Sequence, residues 1–222
     1  MSMDTPRSVP ADGVSVVSES EQMAPLTAEQ WDDAEYAAFG ALLGLPADKV
    51  PRAGSGEAYD PLNFDIIGML AHHPEMARLF LRFNGFLLQR GELSGRLREL
   101  VILRVALRHR SAFEWGQHVR MGAAVGVTDD DVAALVEGND AFAGADRIVL
   151  DTVDELIADG KAQWANWQRL VDTVGERAAM EVIFIVGTYT MTGMAFGTWG
   201  LQAKPGSAPL PPEHPTTEEG HR

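Results

Sequence analysis

The chain has 222 residues, of which 45% are hydrophobic, and it carries a formal net charge of −14. This length fits one domain with extensions or at most two small domains, with enough apolar residues for a buried core. The acidic balance, which no basic run offsets, argues against nucleic acid or an anionic membrane as a partner. The chain contains no cysteine, which excludes disulfides, thiolate metal ligands and cysteine nucleophiles.

The two ends of the chain differ in composition from its middle. Residues 1–24 are rich in Ser, Pro, Asp and Glu and poor in large apolar groups, so we expect a flexible tail without a signal peptide. Residues 204–222 contain five prolines before residue 216. They predict a Pro-rich tail or, if ordered, an extended arm on a neighbouring subunit. Residues 25–203 are left as the folded domain, which we expect to be cytoplasmic.

The pattern between the tails is helical, because period-two alternation is nowhere sustained. Thr27 and Gln30 form a capping box that predicts a first helix through Leu43. The further predicted helices are 64–71, 74–89, one from Ser94 to residue 108, 112–125, one capped by Thr128 and Asp131, 146–159, 164–173 and 176–199. The sequence therefore predicts an all-α fold.

The last of these helices contains a stretch long enough to span a bilayer. Residues 182–201 carry no charge, but they include four glycines and several threonines, and no basic residue precedes them closely. We interpret this segment as a buried core or interface helix, in which Gly193 and Gly197 let a second helix approach. The helix is apolar around most of its circumference, more than one monomer can cover, so we expect a homo-oligomer.

Glu99 breaks the pattern of its own helix. The face expected to be solvated carries Arg98, Arg104 and Arg108. Glu99 instead shares a stripe with apolar residues three, four and seven positions further on. A carboxylate in such a place is either paired with a cation or held protonated by burial. Both a buried ion pair with an arginine such as Arg96 or Arg120 and a catalytic carboxyl remain open.

The next helix supplies partners for Glu99. Ser111, Glu114 and His118 are spaced three and four apart, so they line one face, with Trp115 beside them. A short connection at residues 109–110 makes the two helices antiparallel neighbours, which brings Glu99 within reach of that face. Two carboxylates and an imidazole that converge make a general acid–base site. The alternative is a solvated Glu–His pair on the helix surface.

Several blocks of the sequence resemble a known superfamily. The blocks are LSGRLRELVILRVA at 93–106, FEWGQH at 113–118, GVTDDDV at 126–132, LAHHPEM at 70–76 and VGTYTMTGMA at 186–195. They resemble the core, the preceding motif and the closing helix of the carboxymuconolactone decarboxylase and alkylhydroperoxidase D-like superfamily. The resemblance covers roughly residues 25–203. It implies a helical bundle of the alkylhydroperoxidase D type that assembles as dimers, trimers or higher rings such as hexamers.

The resemblance carries over to activity only in part. Peroxidase members of the superfamily use a glutamate, a Cys-x-x-Cys pair and a histidine. The glutamate matches Glu99 and the histidine matches His118, but the cysteine positions fall on Ser111 and Glu114. A serine and a carboxylate cannot cycle between thiol and disulfide, so a thiol-based hydroperoxidase or peroxiredoxin activity is disfavoured. The chain more closely resembles the branch with Glu-Trp-x-x-His, which is closer to the decarboxylase.

These residues lead to the hypothesis of a carboxy-lyase-like enzyme without a cofactor. It would act by decarboxylation, isomerisation or ring opening on a small enolisable organic acid or lactone. His118 would donate or accept the proton, because an imidazole titrates near neutrality, and Glu114 would orient it or share its proton. Glu99 would be the second acid, and Trp115 would exclude water. Tyr189 would line the pocket, although a tyrosine of the core with a satisfied hydroxyl is the simpler interpretation.

Two other functions stay open. The fold can serve as a non-catalytic binding or assembly protein, with the polar trio as a structural network. A metal-dependent redox activity would need a ligand set made from the trio and one of His72, His73 or His109. No recognisable ligand motif supports such a set, so we predict no metal site. The expected partners are a small-molecule substrate and further copies of the chain.

Overall fold

The structure, a computed structural model, describes residues 23–212 of the chain. Within this part there are nine α-helices joined by loops and short 3-10 turns, and no strand. The helices are α1 (Asp33–Leu43), α2 (Asp65–Leu70), α3 (Pro74–Gln89), α4 (Gly95–Arg108), α5 (Ala112–Ala123), α6 (Asp129–Glu137), α7 (Gly144–Asp159), α8 (Trp164–Val174) and α9 (Glu176–Trp199). The predicted all-α class is confirmed for the described residues.

The predicted helix bounds agree with the structure to within two residues, except at the start of the first helix. The capping box of Thr27 and Gln30 closes only a 3-10 turn, Ala28–Gln30. The backbone is extended at Trp31, which ends that turn, and α1 begins after Asp32 with a second capping box to Glu35. A first helix starting at Thr27 is therefore wrong. The tail predicted for residues 1–24 lies almost entirely outside the described residues.

Helix α4 occupies the centre of the bundle. Eight consecutive residues, 99–106, are buried, because α5, α7 and α9 surround the helix. The expected solvated face of α4 is wrong for Arg104, which is buried and donates to the Leu135 carbonyl over 2.8 Å. Its Nε also lies 3.5 Å from a carboxylate oxygen of Asp154. The burial of Arg104 could not be predicted from the sequence, because periodicity within α4 does not show that α6 and α7 cover this face of the helix.

Helix α9 packs on one side against α4, α7 and α8. Its opposite side exposes a stripe of large side chains at helical spacing, Met180, Phe184, Met191 and Met194. By length and composition α9 is the one described helix that is apolar enough to cross a membrane, which is weak evidence for a span because core helices pass the same test. Gly193 faces the start of α5, near Ser111, whereas Gly197 has open space beside it.

The group formed by α1, α2 and α3 and the residues after α9 complete the fold. Helix α1 packs against α3, and together with α2 they bury a cluster of their own. After α9 the chain turns back across α5, and residues 204–208, which we name the C-terminal strap, lie against Gly116. The Pro-rich segment was expected to form a free tail or an arm on a neighbour. In its described part, residues 204–212, Ala208 and Leu210 pack on the core of their own chain.

Candidate active site

A cavity of about 730 Å³ lies between α3, α5, α9, residues 61–67 and the C-terminal strap. Most of its lining surface is apolar, with contributions from Phe64, Ile66, Leu81, Leu88, Phe113 and Phe196 among others. Glu114, His118, Tyr189 and Thr192 contribute the polar groups at the α5–α9 side. A concave, mainly apolar pocket with a few convergent polar groups is typical of a small-molecule site.

His118 is held by Glu99 rather than by Glu114. The Nδ1 atom of His118 lies 2.7 Å from a carboxylate oxygen of Glu99, which has no solvent exposure. The other carboxylate oxygen of Glu99 accepts from the Arg98 guanidinium at 3.0 and 3.1 Å. Glu99 therefore has a cation beside it, and Nδ1 of His118 donates the hydrogen bond. The Nε2 atom has no hydrogen-bond partner among the described residues and is the ring nitrogen that a ligand can reach.

This pairing corrects two expectations. Glu114 was expected to orient His118, but it lies one turn earlier on α5 and faces α9, whereas His118 faces α4. Glu99 was expected either to act as a second acid or to pair with an arginine such as Arg96 or Arg120. Its arginine is Arg98, since Arg96 binds Asp131 and Asp146 and Arg120 binds Gln117. Glu99 is therefore a partner of His118 and does not line the cavity.

Glu114 is a buried carboxyl without a cation beside it. The Thr192 hydroxyl donates to Oε1, while Oε2 is buried and has no hydrogen-bond partner among the described residues. Burial raises the pKa of Glu114 to about 7, and hydrogen bonds from Thr192 and Ser111 only partly oppose that shift. Near neutral pH the side chain is thus divided between the acid and the carboxylate, and it can give or take a proton.

Tyr189 lies between the two acid–base groups. Its ring makes an edge-to-face contact with the His118 ring, with the centroids 5.0 Å apart. Burial, followed by the negative charges of Glu114 and Glu99, raises the pKa of Tyr189 well above its ordinary value, so the hydroxyl stays neutral. The hydroxyl has no hydrogen-bond partner among the described residues. The satisfied core tyrosine of the simpler interpretation is therefore not what the structure shows.

The other predicted site residues lie away from the cavity. Trp115 is buried in a cluster with Leu103, Leu135 and Leu150, so it does not exclude water from the site as expected. The reason is helical geometry, since residue 115 points about 100° away from residue 114 around α5. Ser111 does not line the cavity either, but its nearby side chain contributes to lowering the pKa of Glu114.

The other three histidines of the described residues make contacts away from the site. His72 binds the Ala24 carbonyl over 2.8 Å, His73 accepts from the Met76 amide at the start of α3, and His109 contacts the Thr190 hydroxyl over 3.1 Å. Among residues 23–212 no three His, Asp or Glu side chains are grouped so that they could hold a metal ion.

Sequence reasoning missed three residues of this site. Arg98 and Thr192 bind the two carboxyls, and Asn84 lines the cavity from α3. Two of them carried a usable signal. Thr192 falls three residues after Tyr189, on one face of α9, and Asn84 is a polar residue between Leu81 and Leu88 on the apolar face of α3. Arg98 had none, because it adjoins Glu99 in sequence and neighbours on a helix point in different directions.

Comparison with known proteins relates the centre of this fold to a family. Residues 74–154 match the model of the Carboxymuconolactone decarboxylase family. This segment of the chain is similar to the Carboxymuconolactone decarboxylase family. This confirms the resemblance drawn from the sequence, and the segment spans α3 to most of α7, with Glu99, Glu114 and His118 inside it. Tyr189, Thr192 and the C-terminal strap lie beyond the matched segment.

A solved structure shares the fold around this segment. It is a crystal structure of a protein of unknown function from Agrobacterium tumefaciens, for which a role as the antioxidant defence protein AhpD has been suggested. The two chains superpose with a TM-score of 0.55 at 16% sequence identity, covering 61% of this chain and 94% of that one. At this identity the likeness shows the fold alone. No curated protein matches the chain.

The Glu99 pairing generates a prediction about stability. Among the described residues Glu99 is the only carboxylate that binds the largely buried Arg98 and His118, so we expect Glu99→Leu to cost about 3–5 kcal/mol in the free energy of unfolding. Glu99→Gln keeps an acceptor and should cost less. Urea denaturation measures both. The double variant Arg98→Met/Glu99→Leu should recover part of the loss, and a Glu99→Leu protein as stable as wild type would contradict the pairing.

A second prediction concerns Glu114 and pH. Between about pH 4.5 and 7 the folded protein keeps a proton on Glu114 that the unfolded chain has already released. This group therefore lowers the free energy of unfolding as the pH rises through that window. Glu114→Gln lacks the effect. Its free energy of unfolding relative to wild type should therefore increase by roughly 2–3 kcal/mol from pH 5 to pH 8.

Chemical denaturation at several pH values measures this difference. Thr192→Val provides a matched variant, because it removes a hydrogen bond that holds the pKa of Glu114 down. Its stability should keep falling to a higher pH than that of wild type. A Glu114→Gln difference that stays constant between pH 5 and pH 8 would show that Glu114 ionises at its ordinary pKa in the folded protein.

Proposed function

We propose that the cavity is the active site of an acid–base enzyme that moves protons at a carbon next to a carbonyl group. The observation that carries this proposal is the pair Glu114 and His118. The first is a buried carboxyl whose pKa lies at about 7, and the second is an imidazole with one nitrogen anchored by Glu99. Both groups line the same cavity. The proposed substrate is an enolisable organic acid or lactone.

Glu114 suits the part of the proton donor. A carboxyl at its ordinary pKa is almost fully ionised at neutral pH and has no proton to give. With a pKa near the working pH, a useful fraction carries the proton and the conjugate base remains strong enough to take one back. Its buried Oε2 atom is not committed to another hydrogen bond among the described residues, while Thr192 holds the other oxygen.

His118 suits the part of the base. Because Nδ1 donates to Glu99, the lone pair of the neutral ring lies on Nε2. When Nε2 takes a proton, the imidazolium lies beside the Glu99 carboxylate, which stabilises its charge. Arg98 limits the excess negative charge at Glu99. In this arrangement Glu99 is a positioning residue that acts through His118 and does not touch the substrate.

The proposed step balances without a cofactor. In a decarboxylation the bond to the carboxylate carbon breaks, carbon dioxide leaves, and the electron pair moves onto the neighbouring carbonyl oxygen as an enolate. The proton of Glu114 then moves to the enolate carbon, and Glu114 regains a proton from water. In an isomerisation His118 removes the proton next to the carbonyl and Glu114 returns one at the new position, after which His118 releases its proton to water and Glu114 takes one up from water. The Tyr189 hydroxyl is available to donate to the enolate oxygen.

Thiol peroxidase chemistry is not proposed, since the chain has Ser111 and Glu114 where such chemistry needs two cysteines. We propose instead a cytoplasmic lyase or isomerase. Lactone opening uses the same two groups with a water molecule as the nucleophile.

The proposal predicts which residues turnover depends on. Glu114→Gln and His118→Ala should each lower the rate of solvent-deuterium incorporation, or of carbon dioxide release, by about 10²- to 10⁴-fold, because each removes a proton-transfer group. A panel of 2- and 3-oxo acids and lactones in D₂O, followed by NMR, provides the measurement. Glu75→Gln on the exposed start of α3 is the control and should react like wild type. Undiminished turnover by both cavity variants, with the fold intact, would overturn the proposal.

We also propose that the chain forms a homo-oligomer through the exposed faces of α3 and α9. The stripe on α9 continues into Phe83 of α3, whose ring contacts the Phe184 ring edge to face, and into Leu79 and Phe86. Beside the stripe, Gly187 offers open space. A monomer rarely leaves an apolar patch of this extent in water, and a second copy of the chain presents a matching face.

Light scattering should therefore give a multiple of 24.1 kDa at micromolar concentration. Phe184→Asp should shift the protein toward the monomer, because a charge in the middle of the apolar face opposes burial. Tyr59→Asp changes an exposed aromatic residue in a loop before α2 and should leave the mass unchanged. A mass of one chain for the wild type would contradict this proposal.

A further inference from the structure

Asn84 is a polar residue on the apolar face of a helix, where apolar side chains are usual. It lies on α3 three residues after Leu81 and four before Leu88, and all three side chains line the cavity. A leucine or methionine at this position would continue the apolar wall. Packing therefore does not explain why an amide occupies this position.

The side-chain amide of Asn84 has no hydrogen-bond partner among the described residues. Its oxygen is buried, and the side chain makes no hydrogen bond to any residue between 23 and 212. Leaving a buried polar atom unpaired costs free energy, whereas an apolar group of the same shape can be neutral or stabilising. Unpaired groups of this kind are uncommon in folded proteins. A group of a bound ligand, or a water that the ligand displaces, would satisfy the amide.

The ligand group that fits Asn84 is neutral. The amide nitrogen can donate to a carbonyl, ester or lactone oxygen, whereas the buried amide oxygen can only accept, from a hydroxyl or a water, and neither group carries a charge. The two cations that line the cavity already have partners. Lys204 donates to the Asn63 carbonyl and lies 3.8 Å from Asp65, and the exposed Arg120 donates to Gln117.

The size and lining of the cavity describe the rest of the ligand. About 730 Å³ is ample for a molecule of drug-like size and far more than a three- or four-carbon acid fills. Phe64, Leu81, Leu88 and Phe196 offer contact area only to an apolar skeleton. A small, multiply charged acid would leave these walls wet and Asn84 unpaired.

We infer that Asn84 is a ligand-binding residue of this cavity, and that the ligand is a largely apolar molecule whose neutral oxygen group pairs with the Asn84 amide. This deepens the proposed function, on which it rests for the reacting end of the molecule at Glu114 and His118. The substrate class becomes a lactone or oxo compound with a long apolar part. Nothing in the sequence analysis pointed to this residue.

The test uses γ-decalactone as the probe, with γ-butyrolactone and muconate as comparisons, and measures Kd by calorimetry. The wild type should bind γ-decalactone well and the two others far more weakly, because each buried methylene of the longer chain adds about a factor of three to four in affinity. Asn84→Leu should weaken binding of γ-decalactone roughly three- to tenfold, the equivalent of one lost hydrogen bond. Gln168→Leu changes an exposed amide on α8, outside the cavity, and it should leave Kd within about twofold.

Thermal melts of the ligand-free proteins separate a binding role from a structural one. Asn84→Leu should melt at the wild-type temperature or above it, because it removes an unpaired buried amide. A lower melting temperature with unchanged Kd would overturn the inference, as would the absence of saturable γ-decalactone binding to the wild type. If Leu disrupts folding, Asn84→Ala serves in its place, with the same expected weakening of binding.

The binding measurements test the role of Asn84 independently of the proposed acid–base chemistry. Glu114→Gln should still bind γ-decalactone, since the probe's affinity comes from the walls and Asn84. If Glu114→Gln and His118→Ala both turned over substrate normally while Asn84→Leu lost affinity, the acid–base proposal would fail and the Asn84 assignment would hold. If turnover depended on Glu114 and His118 but Asn84→Leu bound like wild type, the reverse would follow.

Discussion

The hydrogen bond between Glu99 and His118 ties the most buried helix of the bundle to the wall of the cavity. Glu99 lies in the continuous buried stretch of α4, so its carboxylate needs partners inside the protein, and Arg98 and His118 supply them. This contact requires α5 to lie close against α4. Gly122 allows it, because a Cβ there would lie 3.5 Å from the Cβ of Glu99 and 3.1 Å from that of Val127. An added Cβ would be in ordinary contact with Glu99 but would require Val127 to shift by a few tenths of an ångström, so α5 lies about as close to α4 as a glycine permits.

The two buried carboxyls of the site differ because their surroundings differ. Glu99 faces a guanidinium and an imidazole, so its negative charge has compensation. Glu114 faces only hydroxyls and the small Gly193, which leave burial as the dominant influence and favour the protonated form. Two glutamates of neighbouring helices thereby take different roles. Glu99 is the charged partner of His118, and Glu114 carries a proton. Pairs of carboxyls whose environments drive them apart are a recurrent basis for acid–base catalysis.

Periodicity was sufficient for most of the fold, since the apolar spacing and the capping residues marked α3 and α9 to the residue. It also brought Glu99, Glu114 and His118 to one helix pair. It did not determine which carboxylate binds the imidazole, because that depends on the rotation of α5 between α4 and α9. Trp115 shows the same limit, as it turns toward α6 and α7, which spacing within α5 cannot reveal. Asn84 is visible in the sequence only as a polar residue on the apolar face of α3, and no local pattern encodes the contact that the C-terminal strap makes from a distant part of the chain.

The division between matched and unmatched sequence suggests how chemistry and specificity are shared in this molecule. The matched segment contributes the acid–base groups and Asn84, while residues 61–67, the second half of α9 and the C-terminal strap build the opposite walls. The strap is held at both sides, by Lys204 at Asp65 and by Ser207 against Gly116, where an added Cβ would lie 2.7 Å from the Ser207 side chain. A small residue at position 116 is therefore needed for the strap to close the cavity over His118. Changes in these outer walls can alter which apolar skeleton fits, while the hydrogen bond from His118 to Glu99 and the burial of Glu114 remain as they are.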